Sequence, residues 1–88
     1  MNVKFNIPEY GVTQINKALK EVIEDNFSYV RVKGEISEIR EATKGQIYIT
    51  LKDETSILSA VVWEQKKRSL TFEPEIGMEV ILTGRITT

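Results

Sequence analysis

The pattern of apolar and polar residues along the chain changes period near Phe27. Before that point, apolar residues recur about every three to four positions, which places them on one face of a helix: Ile15, Ala18, Leu19, Val22 and Ile23. Thr13 is the predicted N-cap of this helix, and Asn26 is its predicted end. A separate alternation predicts a strand ahead of the helix, at Val3, Phe5 and Ile7.

After Phe27 the apolar period shortens to about two, which is typical of strands. The first predicted strand keeps its apolar residues on one parity, with a glycine among them: Val30, Val32, Gly34 and Ile36. Ile39 then falls on the other parity, and a glycine followed by such a change predicts a bulge or a sharp bend. The polar stretch 40–45 is predicted to be the loop that follows this strand.

Three more strands are predicted further along the chain. The second has an inward set and an outward set, which are Ile47, Ile49 and Leu51 against Tyr48, Thr50 and Lys52. The third, from Ile57 to Trp63, is apolar on both faces, and residues 64–70 are predicted to form a short polar helix after it. The fourth is predicted over residues 78–86.

The order of these elements, with a bent first strand and a helix between strands three and four, predicts a Greek-key barrel of the OB-fold type. The expected fold class is mainly β with an N-terminal α-helix. We expect residues 1–27 to form an N-terminal extension and capping helix, and residues 28–88 to form barrel strands one to four. The barrel is expected to be truncated before its fifth strand, which lies between strands three and four in this fold.

Composition narrows the classes of function. The 88 residues suffice for one domain, and 12 basic against 13 acidic residues give a net charge of −1. Any nucleic-acid-binding surface must therefore come from a local cluster of cations. The chain has no histidine and no cysteine, which removes the commonest general base and any thiolate zinc site. Because no apolar run approaches ~20 residues and no signal-peptide pattern is present, we expect a soluble, cytoplasmic protein.

Three segments resemble a known family when they are taken in their order and spacing. They are PEYGVTQINKALKEVIEDNFSYVRVKGEIS from Pro8 to Ser37, KGQIYITLKD from Lys44 to Asp53, and FEPEIGMEVILTGRIT from Phe72 to Thr87. Together they cover most of the chain. They resemble the N-terminal OB-fold domain of exodeoxyribonuclease VII large subunits.

The resemblance implies that the parent protein is a phosphodiester-hydrolysing nuclease of DNA repair and recombination. Such an enzyme degrades single-stranded DNA to oligonucleotides without an obligatory divalent metal, and its large subunit gathers small subunits through regions outside the OB domain. In this family the catalytic region follows that domain. We therefore expect this chain to bind single-stranded DNA and to carry no catalytic residue, metal site or cofactor.

An OB-fold binds a single strand across the outer face of strands two and three, where aromatic rings stack on bases and cations meet phosphates. Tyr48, on the outward side of strand two, is the best stacking candidate, although such a ring can also simply shield the sheet. The candidate phosphate contacts lie on strand one, the first loop and strand two: Arg31, Lys33, Arg40, Lys44 and Lys52. The alternative for each is an ordinary solvated cation, and nearby glutamates dilute the positive field.

Other conspicuous residues favour a structural interpretation. Trp63, the only tryptophan, is expected to anchor the short helix that follows it, and the basic run 66–68 is expected to serve solubility. Asp53 and Glu54 are adjacent carboxylates, but they lie in a predicted turn without apolar surroundings that would shift a pKa. A metal or catalytic role is therefore not expected for them.

Two alternative functions stay open. The near-zero net charge favours an interaction module that docks on the catalytic domain and contacts DNA little. Fold analogy alone suggests an OB domain that binds RNA or sugars. We also expect the open edges of strands three and four to pair with a further strand, either from a second copy of the chain or from the alternating segment 3–7.

Overall fold

The computed structural model describes residues 6–87. The elements follow the predicted order: α1 (Val12–Asn26), β1 (Val30–Glu41), β2 (Ile47–Lys52), β3 (Ile57–Val62), a 3₁₀ helix (Glu64–Ser69) and β4 (Glu79–Gly84). The predicted fold class, mainly β with an N-terminal α-helix, is confirmed. The strand predicted at Val3, Phe5 and Ile7 lies outside the described residues except for Ile7, which is in a bend.

The chain divides into two compact units, Met1–Val30 with Thr83–Thr88, and Arg31–Leu82. The first unit contains α1. Its helix ends at Asn26 as predicted, and the N–H of Phe27 donates to the Ile23 carbonyl at 2.8 Å. The predicted boundary between residues 27 and 28 stays a prediction.

The N-cap prediction at Thr13 is wrong, because the helix begins earlier and Gly11 is its N-cap. Gly11 is extended, and its N–H donates to Oε1 of Gln14 at 2.8 Å. This bond is the reach-back half of a capping box, in which the residue three positions into the helix satisfies the N-cap N–H. The residue in the sequence that marks the start of the helix is therefore Gln14 and not Thr13.

The second unit contains most of a four-stranded sheet with the order β3-β2-β1-β4. The central pair, β1 and β2, is antiparallel, and so is the pair β2 and β3. Four residues form the buried core: Ile36, Ile49, Leu51 and Val80. Around them pack half-buried apolar residues from every strand and from the segment before β4, among them Val32, Ile39, Val62, Phe72 and Leu82. The inward set predicted for strand two is therefore confirmed.

The predicted bend in the first strand is a register shift between Ile36 and Glu38. Ser37 is the extra residue, and its hydroxyl donates to the Thr50 carbonyl on β2 at 3.2 Å. Gly34 permits the close approach of the two strands, since a Cβ there would lie 3.2 Å from both the Leu51 Cβ and the Lys52 carbonyl oxygen.

Strands β3 and β4 are the two edges of the sheet within the described residues. In an OB-fold the fifth strand lies between strands three and four, so this order is the one expected when only strands one to four form. The edge strand β3 is the least buried of the four, because it contains no buried residue and leaves Ile57 72% exposed.

Candidate nucleic-acid interface

The bulge at Ser37 decides which side chains share a face of the sheet. Before it, Val32 and Ile36 pack in the core, and after it Ile39 does so, although its parity is opposite. The alternate residues of β1 therefore all point away from the core on both sides of the bulge. We call the side of the sheet opposite the core the outer face.

The outer face carries five of the six predicted site residues. Arg31, Lys33 and Arg40 lie on β1, and Tyr48 and Lys52 lie on β2. Without the bulge, Arg40 would point into the core side while Arg31 and Lys33 pointed outward, because their parities differ. One inserted residue thus brings the cations of β1 to the same face as Tyr48.

Tyr48 lies on the outer face of the inner strand β2, near the hairpin turn, and is paired with Arg40 on β1 and with Val61 on β3. The Arg40 guanidinium carbon is 4.3 Å from the centroid of the Tyr48 ring, which is a cation–π contact. The Gln46 amide Nε2 donates to the Tyr48 hydroxyl at 3.3 Å. The ring is therefore half-buried and held from two sides, with the hydroxyl fixed by Gln46 and one ring face covered by Arg40.

The predicted position of Arg40 in a loop is wrong, because β1 continues to Glu41. The turn that follows is tight. Ala42 and Gln46 are hydrogen-bonded at 2.8 Å, and Gly45 adopts a φ of +92°, a conformation that glycine accepts without strain. Only the residues between Ala42 and Gln46 are left for the loop, so Arg40 stays in the ladder opposite Tyr48.

Lys44 does lie in this turn, and it is exposed. The turn packs against the start of the 3₁₀ helix, since a Cβ built on Gly45 would lie 2.7 Å from Cγ of Glu64. The same helix is tied to β1 by an ion pair of 2.9 Å between Lys67 Nζ and Glu41 Oε1. Lys44 therefore projects from a supported turn at the end of the β1–β2 hairpin.

Two of the predicted cations are already paired with carboxylates. Lys52 Nζ lies 3.7 Å from Glu35 Oε2, and the two residues are directly opposite across β1 and β2. Lys33 Nζ lies 3.1 Å from Glu79 Oε1 on β4. Glu35 was expected only to dilute the positive field, whereas the register places it in direct contact with Lys52. Arg31 is exposed.

Trp63 is not part of the third strand, because β3 ends at Val62 and Trp63 is the N-cap of the 3₁₀ helix. Its carbonyl accepts the N–H of Lys66 at 2.8 Å, while the residue as a whole is 54% exposed. The backbone of Trp63 thus starts the short helix, and the indole is left accessible beside the edge strand.

The carboxylate of Asp53 organises the turn between β2 and β3. Its Oδ1 accepts the N–H groups of Thr55 and Ser56 at 3.0 and 2.9 Å. These two hydrogen bonds hold the pKa of the Asp53 carboxyl below its ordinary value, because they stabilise the charged form. Asp53 therefore has a structural role that accounts for its placement.

Within residues 6–87, no group of three or more acidic side chains is placed to hold a metal ion. No helix in that range is long and apolar enough to cross a membrane.

Comparison with known proteins gives similar relatives that share one name, Exodeoxyribonuclease 7 large subunit. The relative from Rhodospirillum centenum is 48% identical over 83 residues, which cover 94% of this chain and 16% of the relative. Those from Bartonella bacilliformis and Chelativorans sp. are 48% and 50% identical, over 98% and 94% of this chain and over 18% and 16% of their own lengths. The predicted resemblance is confirmed, and the chain spans less than a fifth of the relatives it matches.

A family model described as an OB-fold nucleic acid binding domain matches residues 10–88. The match takes in α1 and all four described strands, including the outer face built around Tyr48. On this evidence the chain belongs to the family of OB-fold nucleic acid binding domains.

Proposed function

We propose that the outer face binds single-stranded DNA, with Tyr48 as the platform for a base. The observation that supports this most directly is the position of Tyr48, which is held by Gln46 on the outer face of the inner strand β2, with Arg40 over its ring and Lys52 further along the strand. Stacking on an aromatic ring is tolerant of sequence and contributes about 1–3 kcal/mol per base in single-strand binders.

The cations around the ring are proposed to contact the phosphates. Arg40 lies opposite Tyr48 on β1, Lys52 lies further along β2, Arg31 and Lys33 lie on β1, and Lys44 lies in the turn at the end of the hairpin. Contacts of this kind set the orientation of the strand and carry no sequence information. With a net charge of −1, the chain by itself is expected to bind weakly.

For the parent protein we propose a nuclease that degrades single-stranded DNA in repair or recombination in the cytoplasm, with this chain as the module that holds the substrate. The support is the shared name of the relatives, which denotes an exodeoxyribonuclease. We further propose that its catalytic groups, and its association with small subunits, belong to other parts of the protein. No degradation of single-stranded DNA by this chain alone is expected.

The proposal is tested by titrating a labelled single strand at low and at moderate salt. Affinity should fall with salt because phosphate contacts release counterions. Tyr48→Ala should weaken binding by about 1–3 kcal/mol without unfolding, because the side chain lies outside the core. Tyr29→Ala is the matched control, since Tyr29 is 81% exposed and lies outside β1 and β2. Equal affinity of the two variants for the single strand would contradict the stacking role. If circular dichroism shows that Tyr48→Ala is unfolded, the side chain has a role in the core instead.

A second candidate function is an interaction module, and a specific observation favours it. Apolar side chains along and beside the edge strand β3 are accessible, with Leu58 41%, Val61 39% and Trp63 54% exposed. Such a surface fits pairing with another strand, from a second copy of the chain or from another domain of the parent protein. If binding to DNA, RNA and polyanions is equally absent at low salt, this candidate replaces the first.

A further inference from the structure

Two lysines on the outer face, Lys33 and Lys52, already form ion pairs with glutamates. Lys52 lies directly opposite Glu35, Lys33 lies two residues before Glu35 on β1, and each lysine contacts a carboxylate from a neighbouring strand. In the Lys52–Glu35 pair both side chains are 47% exposed, and in the Lys33–Glu79 pair they are 69% and 67% exposed. All four side chains are therefore accessible to a ligand that approaches the face.

A carboxylate and a phosphate compete for the same ammonium group. An exposed ion pair is weak, so a phosphate can displace the glutamate, but breaking the pair lowers the net affinity for the phosphate. The released carboxylate also stays close to the incoming phosphate, which adds repulsion between like charges. Affinity is lowered in this way only where a glutamate contacts a lysine that binds the phosphate.

We propose that Glu35 and Glu79 set the affinity of the interface by occupying Lys52 and Lys33 in the unbound protein. This inference rests on the proposed binding of single-stranded DNA to the outer face. The inference is better supported for Glu35 than for Glu79. Glu35 lies directly opposite Lys52, which is on the same strand and the same face as Tyr48. The two glutamates thereby keep the contact of these lysines with phosphate weak.

The chain offers a closely matched control at Glu38. Like Glu35, it is an exposed glutamate on the outer face of β1, where it lies opposite Thr50 on β2. Among the described residues it forms no ion pair. Glu35→Gln and Glu38→Gln change the net charge by the same amount and preserve side-chain shape, so they differ chiefly in whether a lysine is released.

The experiment measures binding of a labelled oligothymidylate to the wild type and to both variants over a range of salt. Glu35→Gln is expected to bind about two- to fivefold more tightly than Glu38→Gln. If Lys52 gains a phosphate contact, the slope of log affinity against log salt should steepen by about 0.7 only in Glu35→Gln. Glu79→Gln should change affinity in the same direction through Lys33.

The outcomes separate this inference from the function on which it rests. If the wild type binds and Tyr48→Ala weakens it, but Glu35→Gln and Glu38→Gln bind equally, the inference is overturned and the proposed function stands. If neither the wild type nor Glu35→Gln binds at low salt, both are overturned. Circular dichroism of each variant confirms that the fold is unchanged.

Discussion

Strands β2 and β3 are the same length, pair with each other in full antiparallel register and differ sharply in burial. In β2, Ile49 is 1% exposed and Leu51 is 3% exposed. In β3, which carries no charged residue at all, Leu58 lies directly opposite Leu51 on the same face of the sheet and is 41% exposed. The strand with the more polar sequence, IYITLK, is the one that supplies the core.

The difference follows from the position of each strand in the sheet. β2 lies between β1 and β3, whereas β3 has one neighbour, β2, within the described residues. A side chain is buried by the strands and loops on both sides of it, so the same apolar residue counts as core in the middle of a sheet and as surface at its edge. Hydrophobicity therefore predicted the strands correctly but not their burial.

The largest expected effect comes from shortening core-facing side chains of the two strands, Ile49 in β2 and Leu58 in β3, which pairs with Leu51. Ile49→Ala should lower the free energy of unfolding by about 2–5 kcal/mol because it opens a cavity in the core. Leu58→Ala should lower it by only about 1–2 kcal/mol, because Leu58 is 41% exposed at the edge of the sheet. Urea denaturation followed by circular dichroism measures both values.

If Ile49→Ala does not fold, Ile49→Val keeps the comparison, with an expected loss of about 0.5–1.5 kcal/mol. Similar losses per carbon atom removed in β2 and β3 would contradict the distinction drawn between a central and an edge strand.

How far the sequence predicted this arrangement can be judged from particular residues. The outward side of Tyr48 and Lys52 followed from parity alone, and the bend in β1 followed from Gly34 and Ile39. The position of Arg40 in β1 could not be predicted in this way. The length of the loop depends on how far the hydrogen-bonded hairpin extends, and the polarity of the residues does not reveal that extent. The pairing of Lys52 with Glu35 required the register across the bulge, and no local pattern carries that register.

A medium effect is expected at the open edge of β3. We propose that two copies pair antiparallel along this strand about a two-fold axis at Ser59, which brings the two Ser59 side chains together and sets Ile57 opposite Val61 of the other copy. This register keeps outer-face residues of both copies on one side. Ser59→Lys would place like charges directly opposite each other, so the dissociation constant of the dimer should rise about fivefold, or about 1 kcal/mol.

Sedimentation over a range of concentrations measures this association. Thr83→Lys is the matched control, because Thr83 is an exposed residue of the other edge strand, β4. Weakening by Thr83→Lys alone would assign the contact to β4, and a wild type that stays monomeric at every concentration would contradict edge pairing. Because the chain contains no cysteine, Ser59→Cys adds a direct check, since a dimer in this register should form a disulfide across the axis under mild oxidation.

The smallest expected effect lies in the turn that joins the two compared strands. The hydrogen bonds from Thr55 and Ser56 hold the pKa of Asp53 below its ordinary value of 3.8. A group whose pKa is lowered by folding stabilises the folded state at pH values above its unfolded pKa, and the contribution is lost as the pH falls through the folded pKa. The wild type should therefore be slightly more stable than Asp53→Asn near neutral pH, and the difference should vanish once the pH is well below 3.8.

Glu54→Gln controls for removing a neighbouring charge from the same turn, and unfolding curves recorded from pH 7 downward compare the three proteins. A difference between wild type and Asp53→Asn that persists unchanged at the acid end would mean that the contribution of Asp53 to stability does not come from its negative charge.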